Sequence, residues 1–266
     1  MTSGPPSCGV VVPPPVRAVA AGRPLRPVWA NEVGGLTFEV GAGRDRCFVK
    51  WVPAASGIDL SAEAARMTWA RPFTPVPRPL ELGADDRGSW LVTAAMNGES
   101  AVASRWRAEP RTAVIAIGEG LRAMHEALPA ADCPFSWTAQ DRLAGAREQA
   151  REGKLDPAQW DTAHQRLGIG PALAVLADIP PAGRLVVCHG DSCAPNTLLA
   201  GDGHWLGHVD LGSLGIADRW ADLAIATWST QWNYGPGWER LLLDAYGIAP
   251  DPDRTSYYRL LWDVFS

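Results

Sequence analysis

The sequence lacks a strong net charge, a regular set of cysteines and any long apolar run, and each absence excludes a class of protein. A net charge of −5 over 266 residues argues against a general nucleic-acid binder. The five cysteines are odd in number and scattered, so they do not predict a disulfide scaffold. No stretch approaches the roughly 20 apolar residues that cross a bilayer, and the proline-broken N-terminus lacks the basic start of a signal peptide. We therefore expect a soluble cytoplasmic protein with no membrane or nucleic-acid partner.

The order of local patterns predicts a small strand-rich lobe followed by a larger helical lobe. Residues 1–27 are rich in proline and glycine and predict a loose lead-in with at most a short helix. Residues 28–96 read as short strands around one helix, for which Ser61 is the expected N-cap. Residues 97–266 are mainly helical, because apolar residues recur at helical spacing in segments such as 111–128. The expected fold class is α+β.

The stretch VVCHGDSCAPNTLLAGDGHWLGHVDLG, residues 186–212, holds polar residues at a spacing that suits phosphoryl transfer. Asp191 is followed five positions later by Asn196, and Asp210 ends the next expected strand. Transfer of a γ-phosphoryl group needs a carboxylate that orients the attacking hydroxyl and oxygen ligands for magnesium. The pattern predicts Asp191 in the first role and Asn196 with Asp210 in the second.

Two other interpretations of the same stretch stay open. Cys188, Cys193, His204 and His208 give C-x4-C-x10-H-x3-H, which is near the spacing of a zinc finger. The gap between the pairs is short for such a site, and Cys188 ends an apolar run, which favours a buried thiol. An ordinary turn with capping Asp and Asn side chains is the second alternative.

HGDSCAPN and VDLGSLGIADRWADLA together resemble the catalytic-loop and metal-loop signature of the aminoglycoside O-phosphotransferases. The resemblance runs from about Val28 to the C-terminus and includes FVKW, SWLVTAA and LRAMHEALPAADCPF. The tail YYRLLWDVFS is similar to that of the aminoglycoside 3′-phosphotransferase branch. This likeness implies a bilobal protein-kinase-like fold, with a small antiparallel-sheet N-lobe and a larger mainly helical C-lobe, and it implies ATP and Mg²⁺ as cofactors.

The resemblance also assigns nucleotide-binding residues in the first lobe. It implies that Lys50 reaches the ATP phosphates, that Glu63 pairs with Lys50, and that Gly34 and Gly35 lie in the loop that covers the nucleotide. The adenine would meet backbone groups at the end of one strand, which is formed by Thr93, Ala94, Ala95 and Met96. In the second lobe, His189 is expected to hold the catalytic loop without acting as a base, and Asp218 and Asp222 are expected to brace that loop and cap a helix.

The acceptor side departs from the family pattern. Ser213 stands where many relatives have arginine, Trp262 stands where a carboxylate is common, and WSTQWNYGPGWER has no acidic residue before Glu239. The expected acceptor contacts are Asp161, for which helix capping is the alternative, together with Asp263 and Phe265. Four tryptophans suggest a more aromatic pocket, namely Trp160, Trp228, Trp232 and Trp238.

These observations predict an ATP-dependent O-phosphotransferase, a monomer or weak dimer, that acts on a small polar alcohol, with an aminoglycoside as the favoured acceptor. One alternative is a kinase of the same fold that acts on a sugar, an amino alcohol or another metabolite. The other is a non-catalytic or zinc-stabilised binding protein built on the same loop.

Overall fold

The computed structural model describes Gly4, Pro6 and residues 9–265, and this part of the chain divides into two compact units between Asn97 and Gly98. Cys8 and Ser266 lie outside the described residues. Within the described ranges, no helix is both long enough and apolar enough to span a membrane.

The first unit is an antiparallel sheet with two helices. Its elements in chain order are α1 (Pro14–Ala20), β1 (Leu25–Ala30), β2 (Leu36–Val40), β3 (Cys47–Pro53), α2 (Leu60–Ala70), β4 (Pro79–Ala84) and β5 (Gly88–Ala94). The five strands are arranged in the order β1-β2-β3-β5-β4, and every neighbouring pair is antiparallel. Alternating apolar side chains of these strands form the core of the unit.

α1 is the short helix expected within the N-terminal lead-in, and its packing against the sheet is an addition to that expectation. Val16 and Ala20 lie four residues apart on one face of α1, and both are buried against sheet residues that include Phe38 and Val49. β1 begins at Leu25, three residues earlier than the predicted start at Val28. This packing could not be predicted from the sequence because the prolines around the helix suggested irregular structure. A proline in the first turn is nevertheless compatible with an α-helix.

The N-cap of α2 is Asp59, and the prediction of Ser61 is wrong. The Asp59 carboxylate accepts hydrogen bonds from the backbone N–H of Ser61 at 2.9 Å and of Ala62 at 3.2 Å. The Ser61 hydroxyl donates to the same carboxylate oxygen at 2.6 Å. The helix therefore starts at Leu60, whose buried side chain joins the small cluster beside the sheet.

The second unit is mainly helical and carries two small sheets. Its helices are α3 (Ser104–Ala108), α4 (Pro110–Ala127), α5 (Ala139–Arg151), α6 (Thr162–Gln165), α7 (Ile169–Leu176), α8 (Trp220–Tyr234), α9 (Glu239–Tyr246) and α10 (Pro252–Val264). Its strands are β6 (Glu99–Ser100), β7 (Leu185–Cys188), β8 (Thr197–Leu199), β9 (Trp205–His208) and β10 (Gly215–Asp218). β7 pairs with β10, and β8 lies between β6 and β9.

β10 lies between the loop after Asp210 and α8. Its four residues pair with all four residues of β7, so the ends of the catalytic segment are tied together. α8 follows at once and is buried from Trp220 to Thr230, which makes it the central helix of the unit. Residues Pro157–Gln159 form a short 3₁₀ turn, which precedes α6.

We expect Asp59→Ala to lower the free energy of unfolding by about 1 kcal/mol, because two N–H groups of α2 lose their acceptor. Urea denaturation at neutral pH measures the change. Ser61→Ala is the matched control and should cost less, since the carboxylate keeps both backbone hydrogen bonds. An equal loss in the two variants would contradict the assignment of the cap.

Candidate active site

The catalytic segment, residues 189–196, connects β7 to β8 and turns sharply at Gly190. Gly190 has a φ of +83°, a left-handed conformation that L side chains rarely adopt. A Cβ atom at this position would lie 2.1 Å from the carbonyl oxygen of Ser213. Only glycine therefore fits, and this close approach brings the segment against the loop that follows Asp210.

A buried carboxylate on α8, Asp222, fixes the backbone of the segment. It accepts hydrogen bonds from the N–H of His189 at 2.6 Å and of Gly190 at 2.9 Å. It also meets His125 Nε2 at 2.9 Å, and His125 Nδ1 lies 2.9 Å from the Tyr246 hydroxyl. Burial by itself raises the pKa of this carboxyl, but the hydrogen bond and charge of His125 and those of His189 hold it below its usual value. The predicted bracing role of Asp222 is confirmed.

His125 was missed by sequence reasoning. Its side chain is buried on α4, 97 residues from Asp222, so no local spacing connects the two. The available signal was a polar residue on the apolar face of the segment 111–128. Asp218 also takes its predicted role, because it accepts from the N–H of Trp220 at 2.9 Å at the start of α8.

α8 also binds the far side of the catalytic segment through hydroxyl groups. The Ser192 hydroxyl donates to the carbonyl oxygen of Asp222 at 2.7 Å. The N–H of Ala194 donates to the Ser229 hydroxyl at 2.9 Å. The segment is thus held at both ends by one helix, which leaves little freedom for Asp191 between them.

His189 acts as a structural link, as expected. Its Nε2 lies 2.9 Å from the carbonyl oxygen of Val209, and its Nδ1 accepts from the N–H of Asp191 at 3.2 Å. These two contacts engage both nitrogens of the ring. With both ring nitrogens engaged, His189 has no nitrogen available as a general base.

Asp191 and Asp210 are close enough for their charges to interact. Burial, and then the charge of Asp210, raise the pKa of Asp191 above its ordinary value. In the described part of the chain, Asp191 Oδ1 is buried and has no hydrogen-bond partner. Asp210 has a φ of +63°, which is uncommon for a residue other than glycine and sets the direction of its side chain.

The oxygen atoms near Asp191 fit a hard divalent cation. Asn196 Nδ2 donates to the carbonyl oxygen of Asp191 at 3.0 Å, so the amide oxygen of Asn196 faces away from that contact. This amide oxygen and the Asp210 carboxylate are the ligand types that magnesium prefers. The oxygen donors of this set therefore suit Mg²⁺.

The zinc interpretation is wrong for the described residues. The Cys188 thiol is buried and donates to the carbonyl oxygen of Asp218 at 3.4 Å. His204 is exposed in a turn, whereas His208 is buried. Across residues 9–265, the one group of three metal-binding side chains consists of His125, Cys188 and Asp222, and it does not include the other members of the predicted set.

In the first unit, the predicted ion pair between Lys50 and Glu63 is confirmed. Lys50 Nζ lies 2.8 Å from Glu63 Oε2, and Glu63 is almost fully buried on α2. Lys50 projects from β3, where its neighbours across the sheet are Thr37 and Leu91. The ion pair holds the ammonium group at a defined place on the sheet.

The Gly34-Gly35 turn is closed by Asn31, a residue that sequence reasoning missed. The N–H of Gly35 donates to Asn31 Oδ1 at 2.5 Å, and the N–H of Asn31 donates to the carbonyl oxygen of Gly35 at 2.9 Å. Gly34 has a φ of +82°. A Cβ atom on Gly35 would lie 2.5 Å from Asn31 Nδ2, so a side chain there would displace Asn31 from the turn.

The strand end predicted to meet adenine is ordered by Arg46. The N–H of Ala95 donates to the Arg46 carbonyl oxygen at 3.1 Å, and the Arg46 guanidinium donates to the Met96 carbonyl oxygen at 2.7 Å. The N–H of Ala94 donates to the carbonyl oxygen of Arg78 at 2.9 Å. Thr93 is the buried residue that precedes them.

The structure brings two of the three predicted acceptor residues, Asp161 and Asp263, together. Asp263 Oδ2 accepts from the N–H of Asp161 at 2.9 Å and contacts His164 Nδ1 at 2.5 Å. Asp161 also caps α6 through a 2.9 Å hydrogen bond from the N–H of Ala163, which is the alternative considered for it. The Phe265 ring packs 6.2 Å from that of Trp137, as measured between ring centroids.

The aromatic-pocket expectation is wrong for two of the four tryptophans. Trp160 and Trp228 are largely buried and do not form a surface, whereas Trp232 is 51% exposed. Large aromatic side chains are more often part of the hydrophobic core than of a binding site, and Trp160 and Trp228 are buried in this way.

The raised pKa of Asp191 predicts that this residue destabilises the folded state at neutral pH. A raised carboxyl pKa means that the folded state favours the protonated form, so stability is lost as the pH rises through the folded-state pKa. Asp191→Asn should therefore raise the melting temperature at pH 7 in magnesium-free buffer, as measured by calorimetry. Asp202→Asn removes an exposed turn carboxylate and is the control, for which we expect little change. A lower melting temperature for Asp191→Asn would count against the charge repulsion.

Comparison with known proteins gives one consistent family. Residues 29–258 match the phosphotransferase enzyme family. An aminoglycoside 3′-phosphotransferase of Streptomyces fradiae is 40% identical over 225 residues, 80% of this chain and 82% of the relative. A streptomycin 3″-kinase of Streptomyces griseus is 36% identical over 248 residues, 87% of this chain and 88% of the relative.

A solved structure supports the same assignment. It is an aminoglycoside phosphotransferase from Streptomyces rimosus in complex with ADP and streptomycin, with a TM-score of 0.75 and 30% identity. The match covers 94% of this chain and 95% of that structure. The expected bilobal, kinase-like α+β fold is thereby confirmed. The chain belongs to the phosphotransferase enzyme family, in its aminoglycoside phosphotransferase group.

Proposed function

We propose that this protein transfers the γ-phosphoryl group of ATP to a hydroxyl group of an aminoglycoside. The observation that carries the proposal is the buried, unpartnered Oδ1 of Asp191 on a segment braced by Asp222. An unused acceptor atom in a fixed position suits a group that receives a hydrogen bond from a substrate. The relatives named for aminoglycosides and streptomycin support the choice of acceptor.

Asp191 orients the acceptor hydroxyl and takes its proton. The carboxylate must be ionised for this role, and its raised pKa brings its basicity closer to the working pH. Hydrogen bonds from the neighbouring backbone fix the direction of attack, so positioning supplies much of the rate acceleration.

Asn196 and Asp210 would hold Mg²⁺, and the Lys50–Glu63 ion pair would position the phosphates of ATP. Bound magnesium supplies charge neutralisation on the β- and γ-phosphates. The glycine turn at Gly34 and Gly35 and the backbone of residues 93–96 complete the proposed nucleotide contacts. The almost fully buried Glu63 carboxylate keeps Lys50 in place, which suits a cation that binds phosphate oxygens.

Asp161 and Asp263 are the proposed carboxylate contacts for the ammonium groups of the acceptor. They lie together beside α6, where Asp263 is already bonded to His164 and to the backbone of Asp161. Phe265 is kept in the proposal as a neighbour of this region. We also propose a cytoplasmic location, since ATP is supplied there, and a monomer or weak dimer.

Two variants should separate phosphate positioning from hydroxyl activation. We expect Asp191→Asn to reduce ADP release by at least about a hundredfold, because general-base catalysis and positioning of the hydroxyl are lost, while ATP binding is kept. Lys50→Met should instead weaken ATP binding as well as turnover. Coupled ADP release measures turnover with neomycin, kanamycin, streptomycin, glucose and choline, and calorimetry measures ATP binding.

The same panel separates the proposal from its alternatives. Asp202→Asn is the matched control and should retain wild-type turnover. Near-normal turnover of Asp191→Asn would exclude the assigned role. Turnover with glucose or choline but with no aminoglycoside would keep the phosphotransferase and replace the acceptor class.

A further inference from the structure

We propose that Trp232, supported by Trp228, forms an aromatic platform that stacks against an amino-sugar ring of the acceptor. The inference rests on the proposed function and names one of the contacts by which that site selects its substrate. The aromatic platform consists of the Trp232 and Trp228 side chains.

The outer ring of the platform is exposed and rests on the inner ring. Trp232 lies in the last turn of α8 and is 51% exposed, whereas Trp228, four residues earlier, is buried. The two ring centroids are 5.0 Å apart. The His164 ring at 5.9 Å and the Arg259 guanidinium at 5.3 Å hold Trp228 from other sides. A large aromatic face is therefore presented to solvent on a fixed base.

The platform lies one helical turn from the contact between α8 and the catalytic segment. Ser229 accepts from the N–H of Ala194, which is three residues beyond Asp191. Ser229 and Trp232 are three positions apart, and residues at that spacing are neighbours on a helix surface. Asn233 Nδ2 donates to the carbonyl oxygen of Ser229 at 2.8 Å, which adds a local hydrogen bond to this last turn. The Trp232 ring therefore lies within about one helical turn of the residue through which α8 contacts the catalytic segment.

The charges around the platform favour a cationic ring. His164, which packs on Trp228, is bonded to Asp263, and Asp263 also contacts the backbone of Asp161. The positive charge of Arg259 is directed into α8, because its guanidinium donates to Ala224 and Thr227 at 3.2 Å each.

The acidic residue that follows the platform is already engaged. Glu239 accepts hydrogen bonds from the Gln231 side chain and from the N–H of Gly237. The platform thus belongs to the segment 228–240, in which no residue before Glu239 has a carboxylate that could bind a substrate amine. Aromatic faces attract both ammonium groups and the C–H faces of sugar rings. The chemical class that fits is an aminated pyranose or cyclitol ring.

The test compares Trp232→Ala and Trp232→Phe with wild type. Trp232→Ala should raise the acceptor KM roughly five- to tenfold, the effect expected for loss of one cation–π or stacking contact. The kcat and the KM for ATP should stay within about twofold, since Asp191 and the ATP contacts are unchanged. Trp232→Phe should recover most of the loss because it keeps an aromatic face.

Phe73→Ala is the matched control. Phe73 is 44% exposed and also packs on a tryptophan four residues earlier, Trp69, with the ring centroids 5.6 Å apart. Phe73 belongs to the first unit, whereas Asp191 and the platform belong to the second, so the acceptor KM should not change. Neomycin, kanamycin and streptomycin are the probes, with binding measured by calorimetry and turnover by ADP release.

The outcomes separate the platform from the proposed function. An unchanged acceptor KM in Trp232→Ala, or a loss confined to kcat, would overturn the platform while leaving phosphoryl transfer intact. If the wild type shows no turnover but binds the aminoglycoside more tightly than Trp232→Ala does, the result would support the platform and reject the proposed function. Neither binding nor turnover in the wild type would reject both.

Discussion

The buried carboxylate of Asp222 is the interaction on which the catalytic segment depends. One side chain holds two consecutive backbone N–H groups, at His189 and Gly190, and is itself held by His125. A buried charge without partners would be costly, so each of these contacts is needed for the others to persist. The chain from the Tyr246 hydroxyl through His125 to Asp222 ties α9 and α4 to the segment. The geometry around Asp191 is therefore a property of the whole second-unit core and not of the loop alone.

Asp191 and Asp210 are two nearby carboxylates whose charges oppose folding. Burial, and then repulsion by the nearby Asp210 carboxylate, raise the pKa of Asp191. The fold tolerates this because Asp222, Ser229 and His189 over-determine the backbone on both sides. Positions where local energetics oppose folding are expected where a protein performs chemistry. A divalent cation between such carboxylates would convert the repulsion into attraction, which links occupancy of the site to the stability of the second unit.

The sequence predicted the local parts of the site and missed the distant ones. Asp191, Asn196 and Asp210 lie within 20 residues, so their spacing alone suggested one chemistry. The strands at 36–40 and 47–53 were visible because alternation is a local signal. His125 and Arg46 could not be found from local spacing, since each contacts a group far along the chain. His125 meets the Asp222 carboxylate, and Arg46 donates to the Met96 carbonyl oxygen. The N-cap of α2 was misplaced by two residues because Asp59 and Ser61 are both good capping residues and only the start of the helix decides between them.

Burial changes sharply along α8, and this has an evolutionary consequence. The helix is enclosed from Trp220 to Thr230, and its buried residues brace the catalytic segment, whereas Trp232 is half exposed two residues later. Substitutions in the enclosed part are expected to affect folding and chemistry together, while a change at Trp232 is expected to alter acceptor binding with little effect on either. Selection by a new antibiotic scaffold therefore has a position at which acceptor binding can change by itself. Acceptor range can diverge among descendants of this chain while the phosphoryl-transfer apparatus stays fixed.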